Sequence, residues 1–153
     1  MNHTQLFAFE SDFVATLRCI PMAVRFKLDR CGIKLSLRQW SRFTRDDRQD
    51  LLDASCATEA EACVYRDVLI DLVARRAGEA AKPLPEPPSS LWDAADTPPV
   101  VAAHARAKGL RPPSDGEWAG LSALQRFVLV KLTRDNHDNV NFAPAMREFG
   151  LAA

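Results

Sequence analysis

Residues 13–33 read Phe-Val-Ala-Thr-Leu-Arg-Cys-Ile-Pro-Met-Ala-Val-Arg-Phe-Lys-Leu-Asp-Arg-Cys-Gly-Ile. Phe13, Leu17, Ile20, Val24, Leu28 and Cys31 recur in steps of four and three, which lays one apolar stripe along a helix. Pro21 interrupts the stripe. A proline lacks the amide donor and its ring clashes with the preceding turn, so a kink is expected, or a restart with Pro21 in the first turn. Gly32 stands where a left-handed C-terminal cap belongs, and Ile33 after it can meet Leu28. A rival pattern overlaps this one. Val24, Phe26 and Leu28 alternate with charged residues, as do Ile33, Leu35 and Leu37, so a short β-hairpin over 23–38 is the alternative. The longer stripe and the glycine cap favour the helix, and 33–36 is extended in either case.

Working outward, helix-start signals multiply. Thr44 precedes Arg-Asp-Asp-Arg, a cap followed by acids in the first turn. Thr58–Glu61, Ser114–Glu117 and Ser122–Gln125 are three capping boxes. Tyr65, Val68, Leu69 and Leu72 form the face of the helix that starts at Thr58 and should stop near Gly78. Leu124, Phe127, Val128 and Leu132, widened by Leu129 and Val130, mark the most buried helix. Gly150-Leu151 repeats the glycine-then-apolar stop, with Met146 as the expected contact. Between these runs lies 82–99, with Pro83, Pro85, Pro87, Pro88, Pro98 and Pro99. That density suits neither a helix interior nor a central strand and reads as an extended, semi-rigid connector. The fold class is therefore all-α: six to eight helices in one compact domain over 1–153, with 82–99 inside it. Two lobes, 1–80 and 100–153, are the alternative, but each is small for independent stability.

The chain has 153 residues, 47% apolar and 26% charged, which suits one soluble domain. No apolar run approaches the roughly 20 residues of a membrane helix, and the first residues lack a secretion signal. A cytoplasmic, reducing setting is expected. Net charge is zero, which argues against general nucleic-acid binding. The distribution is uneven, with nine basic and three acidic side chains in 18–48 against four basic and ten acidic in 49–100. Cys19, Cys31, Cys56 and Cys63 make no C-x-x-C pair, so they read as small core-filling thiols rather than zinc or redox ligands.

Two stretches are dense in special residues. The first carries Arg18, Met22, Arg25, Lys27 and Trp40. A solvated basic helix face accounts for it; the functional alternative is a docking surface, since Arg and Trp are enriched among interface hot spots. The second is Arg134-Asp135-Asn136-His137-Asp138-Asn139-Val140-Asn141-Phe142. A polar helix–helix turn uses such residues anyway; the alternative is a pocket wall in which His137 and an aspartate act together. No phosphate loop, nucleophile elbow or zinc motif is present.

At these two stretches the chain resembles the nitrate reductase-associated protein family, small bacterial proteins found with assimilatory nitrate reductase. The resemblance lies in Phe9-Glu10, Asp12-Phe13, Leu17-Arg-Cys-Ile-Pro-Met22, Val24-Arg25, Lys27-Leu-Asp29, Gly32-Ile-Lys-Leu35, Leu37, Trp40, Arg48 and Cys56. Later it lies in Trp118, Leu121, Gln125-Arg-Phe127, Lys131-Leu132, Arg134-Asp-Asn-His137, Asn139, Asn141-Phe142 and Glu148-Phe-Gly-Leu151. It implies a role in producing active nitrate reductase, an enzyme whose cofactors are molybdopterin and iron–sulfur. It supplies no catalytic residues and no mechanism.

The expectation is thus a non-catalytic accessory protein, with no catalytic residue, metal or cofactor of its own, that docks on assimilatory nitrate reductase. Arg18, Met22, Arg25, Lys27, Trp40, Arg134, Asp135, Asn136, His137, Asn139 and Asn141 are the candidate partner contacts. It requires the arginines and Trp40 to face outward. The rivals are a thiol- or metal-using carrier or enzyme built on Cys19, Cys31, Cys56 and His137, and a helix-turn-helix DNA-binding regulator using 18–48. The sequence sets no oligomeric state.

Overall fold

The computed structural model describes residues 6–10, 17–85, 91–133 and 141–151. Among these the chain is all-α, with eight α-helices and one two-stranded pairing. None of the helices is long and apolar enough to cross a membrane. The chain falls into two compact units, one of residues 1–6 and 10–88 and one of 7–9 and 89–153.

In the first unit α1 spans Met22–Cys31. The helix reading of this segment holds and the hairpin over 23–38 does not form. Gly32 takes φ 72° and returns its amide to Leu28 and Asp29, closing the helix as a left-handed cap. Pro21 corrects the expected start. It sits outside the first turn, extended at φ −65° and ψ 154°, as the N-cap whose carbonyl receives the amides of Val24 and Arg25. Leu17 and Ile20 are buried, but residues 17–21 are not helical, so the stripe expected from Phe13 is helical only from Met22 onward; Phe13 lies outside the described residues. Ile33–Lys34, strand β1, pairs antiparallel with Lys82–Pro83, strand β2. The amide of Leu84 adds a bond to Gly32 O at 3.0 Å. The start of the proline-rich connector is thereby tied to the end of α1.

Helices α2 (Leu37–Arg42), α3 (Arg45–Asp53) and α4 (Glu59–Leu72) each open on a reciprocal capping box, from Ser36–Gln39, Thr44–Asp47 and Thr58–Glu61. Each box satisfies amides that the helix cannot, worth about 0.5–2 kcal/mol apiece. The Ser36 box lies in the stretch that alternation alone marks as extended. A wider π-helical turn, Val73–Ala77, continues α4 to Gly78 at φ 66°. There Arg76 pairs with Asp47 at 2.9 Å, which joins the end of this helix to the cap of α3. Val24, Trp40, Leu51, Leu52, Leu69 and Val73 are among the most deeply buried side chains of this unit.

The second unit holds α5 (Pro99–Ala107), α6 (Asp115–Gly120), α7 (Ala123–Leu132) and α8 (Phe142–Glu148). The boxes at Ser114 and Ser122 form as their spacing predicts. Phe127 through Val130 and Leu132 are all buried, so α7 is packed on nearly every side. The connector's later half is anchored by Trp118, whose indole donates to Ala94 O at 2.9 Å, and by Thr97, whose hydroxyl donates to Pro113 O at 3.1 Å. His104 stands edge-on to the Phe142 ring at 4.6 Å. The last stop behaves as read: Leu151 N bonds Met146 O at 2.8 Å, past Gly150 at φ 77°.

Candidate functional site

The first stretch singled out by sequence folds inward. Trp40 is 0% exposed and Met22 is 4% exposed, so neither is a surface anchor, and the outward-facing tryptophan that the docking expectation required is not found. The Trp40 indole donates to Leu17 O at 2.8 Å, and Arg48 reaches the same carbonyl at 3.3 Å. Arg48 also donates to Trp40 O and Ser41 O, with its guanidinium 6.0 Å from the Trp40 ring. Leu17 has φ 58°, a left-handed conformation that costs a residue with a Cβ about 1–2 kcal/mol. Two donors on its carbonyl, in a buried setting, hold it there. Glu10 is 1% exposed and accepts the Met22 amide at 3.1 Å, placing an acid at the start of α1.

Lys27 is also buried, which corrects its placement among the contacts. Its ammonium donates to Leu52 O at 2.6 Å and lies 5.9 Å from the Tyr65 ring; the Tyr65 hydroxyl donates to Leu51 O at 2.8 Å. These carbonyls end α3, where the last four of any helix lack partners inside it, and a cation there is favoured by the helix dipole. Burial pulls the lysine below its ordinary value, opposed by Cys56 and Asp53. The same burial holds the Tyr65 phenol well above its own.

The thiols share this interior. Cys31 Sγ lies 3.6 Å from Leu28 O and Cys56 Sγ 3.9 Å from Lys27 O. Burial pushes Cys31 up to about 11 and Cys56 above its usual value, so both are protonated at neutral pH. A protonated thiol is a poor nucleophile. Among the described residues no three His, Cys, Asp or Glu side chains gather as a metal site. Cys19 is half-buried and Cys63 exposed.

Of the nine basic side chains in 18–48, Arg25, Lys27, Arg30 and Arg48 donate to backbone carbonyls. The basic surplus is therefore partly internal, which weakens a phosphate-binding reading of this segment. Arg18 is exposed and Arg25 is half-buried with its Nε on Ile20 O at 3.2 Å. In the second stretch, Arg134, Asp135, Asn136, His137 and Asn139 lie outside the described residues. Asn141 is half-buried and precedes α8 without capping it through its side chain.

One feature escaped the sequence reading. A cleft of about 540 Å³ runs between α3 and α4. Leu51 and Tyr65 lie beneath it, Ala54, Val64 and Val68 line its walls, and Asp50 and Glu61 contribute carboxylates. Val68 is 44% exposed, although the helical face predicts it inside, and Val64 is 64% exposed. Bonds from Ser55 and from the Thr58 and Ala57 amides hold the Glu61 carboxyl below its usual value. The available signal was Val64-x-x-x-Val68, a second apolar pair on α4 beside the core-facing one.

Fold and side-chain geometry together define a small helical protein whose most distinctive polar residues brace its own backbone. The chain belongs to the conserved nitrate reductase-associated protein family, whose model matches residues 6–149. No curated protein and no solved structure matches it. Glu10, Leu17, Lys27, Trp40, Arg48 and Cys56, which carried the resemblance, are all parts of the internal bracing described above.

Proposed function

We propose that this protein is a non-catalytic accessory factor needed for active assimilatory nitrate reductase, acting in the cytoplasm by protein–protein docking during maturation, assembly or electron supply. The observation that carries the reading is the family match over residues 6–149. Supporting it, Lys27, Tyr65, Trp40 and Arg48 each donate to main-chain carbonyls, and Cys31 and Cys56 of the rival thiol reading are buried. A catalytic site needs a nucleophile or base, an orienting partner and room for substrate in one place, and Lys27 and Tyr65 are committed to the carbonyls of Leu52 and Leu51. Arg18, exposed ahead of α1, remains a candidate contact.

A deletion strain tests this, with nitrate reductase activity and reductase protein level measured separately. Normal reductase protein with lost activity, restored by the intact gene, is the expected result. Full activity in the deletion strain removes the proposal. A pull-down comparing wild type with Arg18→Glu then asks whether the Arg18 surface takes part.

A further inference from the structure

We propose that the α3–α4 cleft is a docking groove for a short amphipathic helix carrying a basic flank, supplied by a protein partner. The inference stands apart from the reductase assignment and survives or fails on its own test.

The shape favours a helix. The groove lies between two helices and is walled by side chains. It offers no unpaired strand edge, so an extended peptide would gain no ladder of main-chain bonds there. Val64 and Val68, four residues apart on α4, present two aliphatic side chains to solvent on one face. The α4 wall runs from Ala60 to Val68, about 12 Å of helix or just over two turns. A partner helix placing aliphatic residues at i and i+4 matches that repeat, in the way helix-in-groove complexes do. Burying the valines removes apolar surface from water.

The charge selects the partner's flank. Apart from Tyr65, the ionisable residues of the cleft are Asp50 and Glu61, both carboxylates. On α3, Asp46, Asp50 and Asp53 follow steps of four and three and so share one face. Of these only Asp50 lines the cleft, so Asp50 and Glu61 form the acidic margin beside the apolar trough, with Asp46 and Asp53 farther along the same helix face. Lysine or arginine next to the partner's aliphatic pair would meet these carboxylates, adding specificity and association rate more than raw affinity.

The test displays a library of helical peptides, randomised on all faces, against the full-length protein. The Val64→Glu/Val68→Glu double variant serves for counter-selection. Both positions are exposed, and circular dichroism checks that the variant folds; Asp50→Lys supplies an independent, milder change. The expected pool pairs aliphatic residues at i and i+4 with net positive charge. Its consensus peptide should lose about tenfold or more in affinity on the double variant. It should bind Asp50→Lys more weakly, with that difference shrinking as salt rises. A pool that is acidic, is not helical or is not distinguished by the double variant overturns the proposal. So does self-association of the wild type that the double variant abolishes, since the groove would then take a second copy of the chain.

Discussion

The indole nitrogen of Trp40 donates to the carbonyl of Leu17 at 2.8 Å, across 23 residues of sequence, and pins a leucine whose φ is 58°. Arg48 closes on the same carbonyl. A strained backbone persists only where its surroundings over-determine it, and these two donors do so here.

Trp40→Phe keeps an aromatic ring, deletes that bond and leaves a small cavity at a fully buried site. The expected loss is about 1–3 kcal/mol of unfolding free energy, measured by urea titration with helical circular dichroism unchanged. Arg48→Met should act on the same carbonyl. The double variant should depart from additivity by more than about 0.5 kcal/mol. Strict additivity would mean that the two donors do not share one task.

Tyr65→Phe removes the donor to Leu51 O from the interior side and leaves the ring in place. About 1–3 kcal/mol should be lost, the cost of a buried carbonyl without a strong partner. Lys27→Met, which frees Leu52 O, should couple to it because both side chains serve adjacent carbonyls at the end of α3. A thermal-shift series on the two single variants and the double decides this.

The four thiols should separate by reactivity. Cys63, exposed, is modified first; Cys31 and Cys56 should resist a thiol reagent at neutral pH until the protein unfolds. Mass spectrometry of the labelled sites over time checks the order. Rapid labelling of Cys56 in the folded protein would contradict the assigned protonation.

Cys31 also makes a pH prediction. Its folded value of about 11 exceeds the ordinary thiol value of 9.0, so folded and unfolded chains bind this proton alike below pH 9. Above that the unfolded state releases it first, and stability falls as pH rises from about 9 to about 11. The full effect is roughly 2–3 kcal/mol. Cys31→Ala should flatten part of that decline relative to wild type, read from denaturation midpoints across the alkaline range.

The single domain expected from sequence predicts one cooperative transition. Trp40 reports on the first unit, and Trp92 and Trp118 on the second. Single-tryptophan variants should therefore give fluorescence transitions that coincide with each other and with circular dichroism. Separate midpoints would make the two units two domains.

By itself the sequence determined what local chemistry can encode: which residues cap helices, where glycine ends them, and the family. Thr58 with Glu61, Ser114 with Glu117 and Ser122 with Gln125 are legible because both partners lie within one turn. Gly32 and Gly150 are legible because a left-handed stop favours glycine. The direction in which the long polar side chains point was not legible. Arg, Lys and Trp carry an apolar body and a polar tip, so a stripe of them reads equally as a surface or as interior bracing. Only tertiary structure supplied the carbonyls of Leu17, Leu51 and Leu52 that turn Trp40, Arg48 and Lys27 inward. The same physics left Val64 and Val68 outside. Helical periodicity identifies an apolar position, but whether another element covers it depends on where the neighbouring helix is laid down.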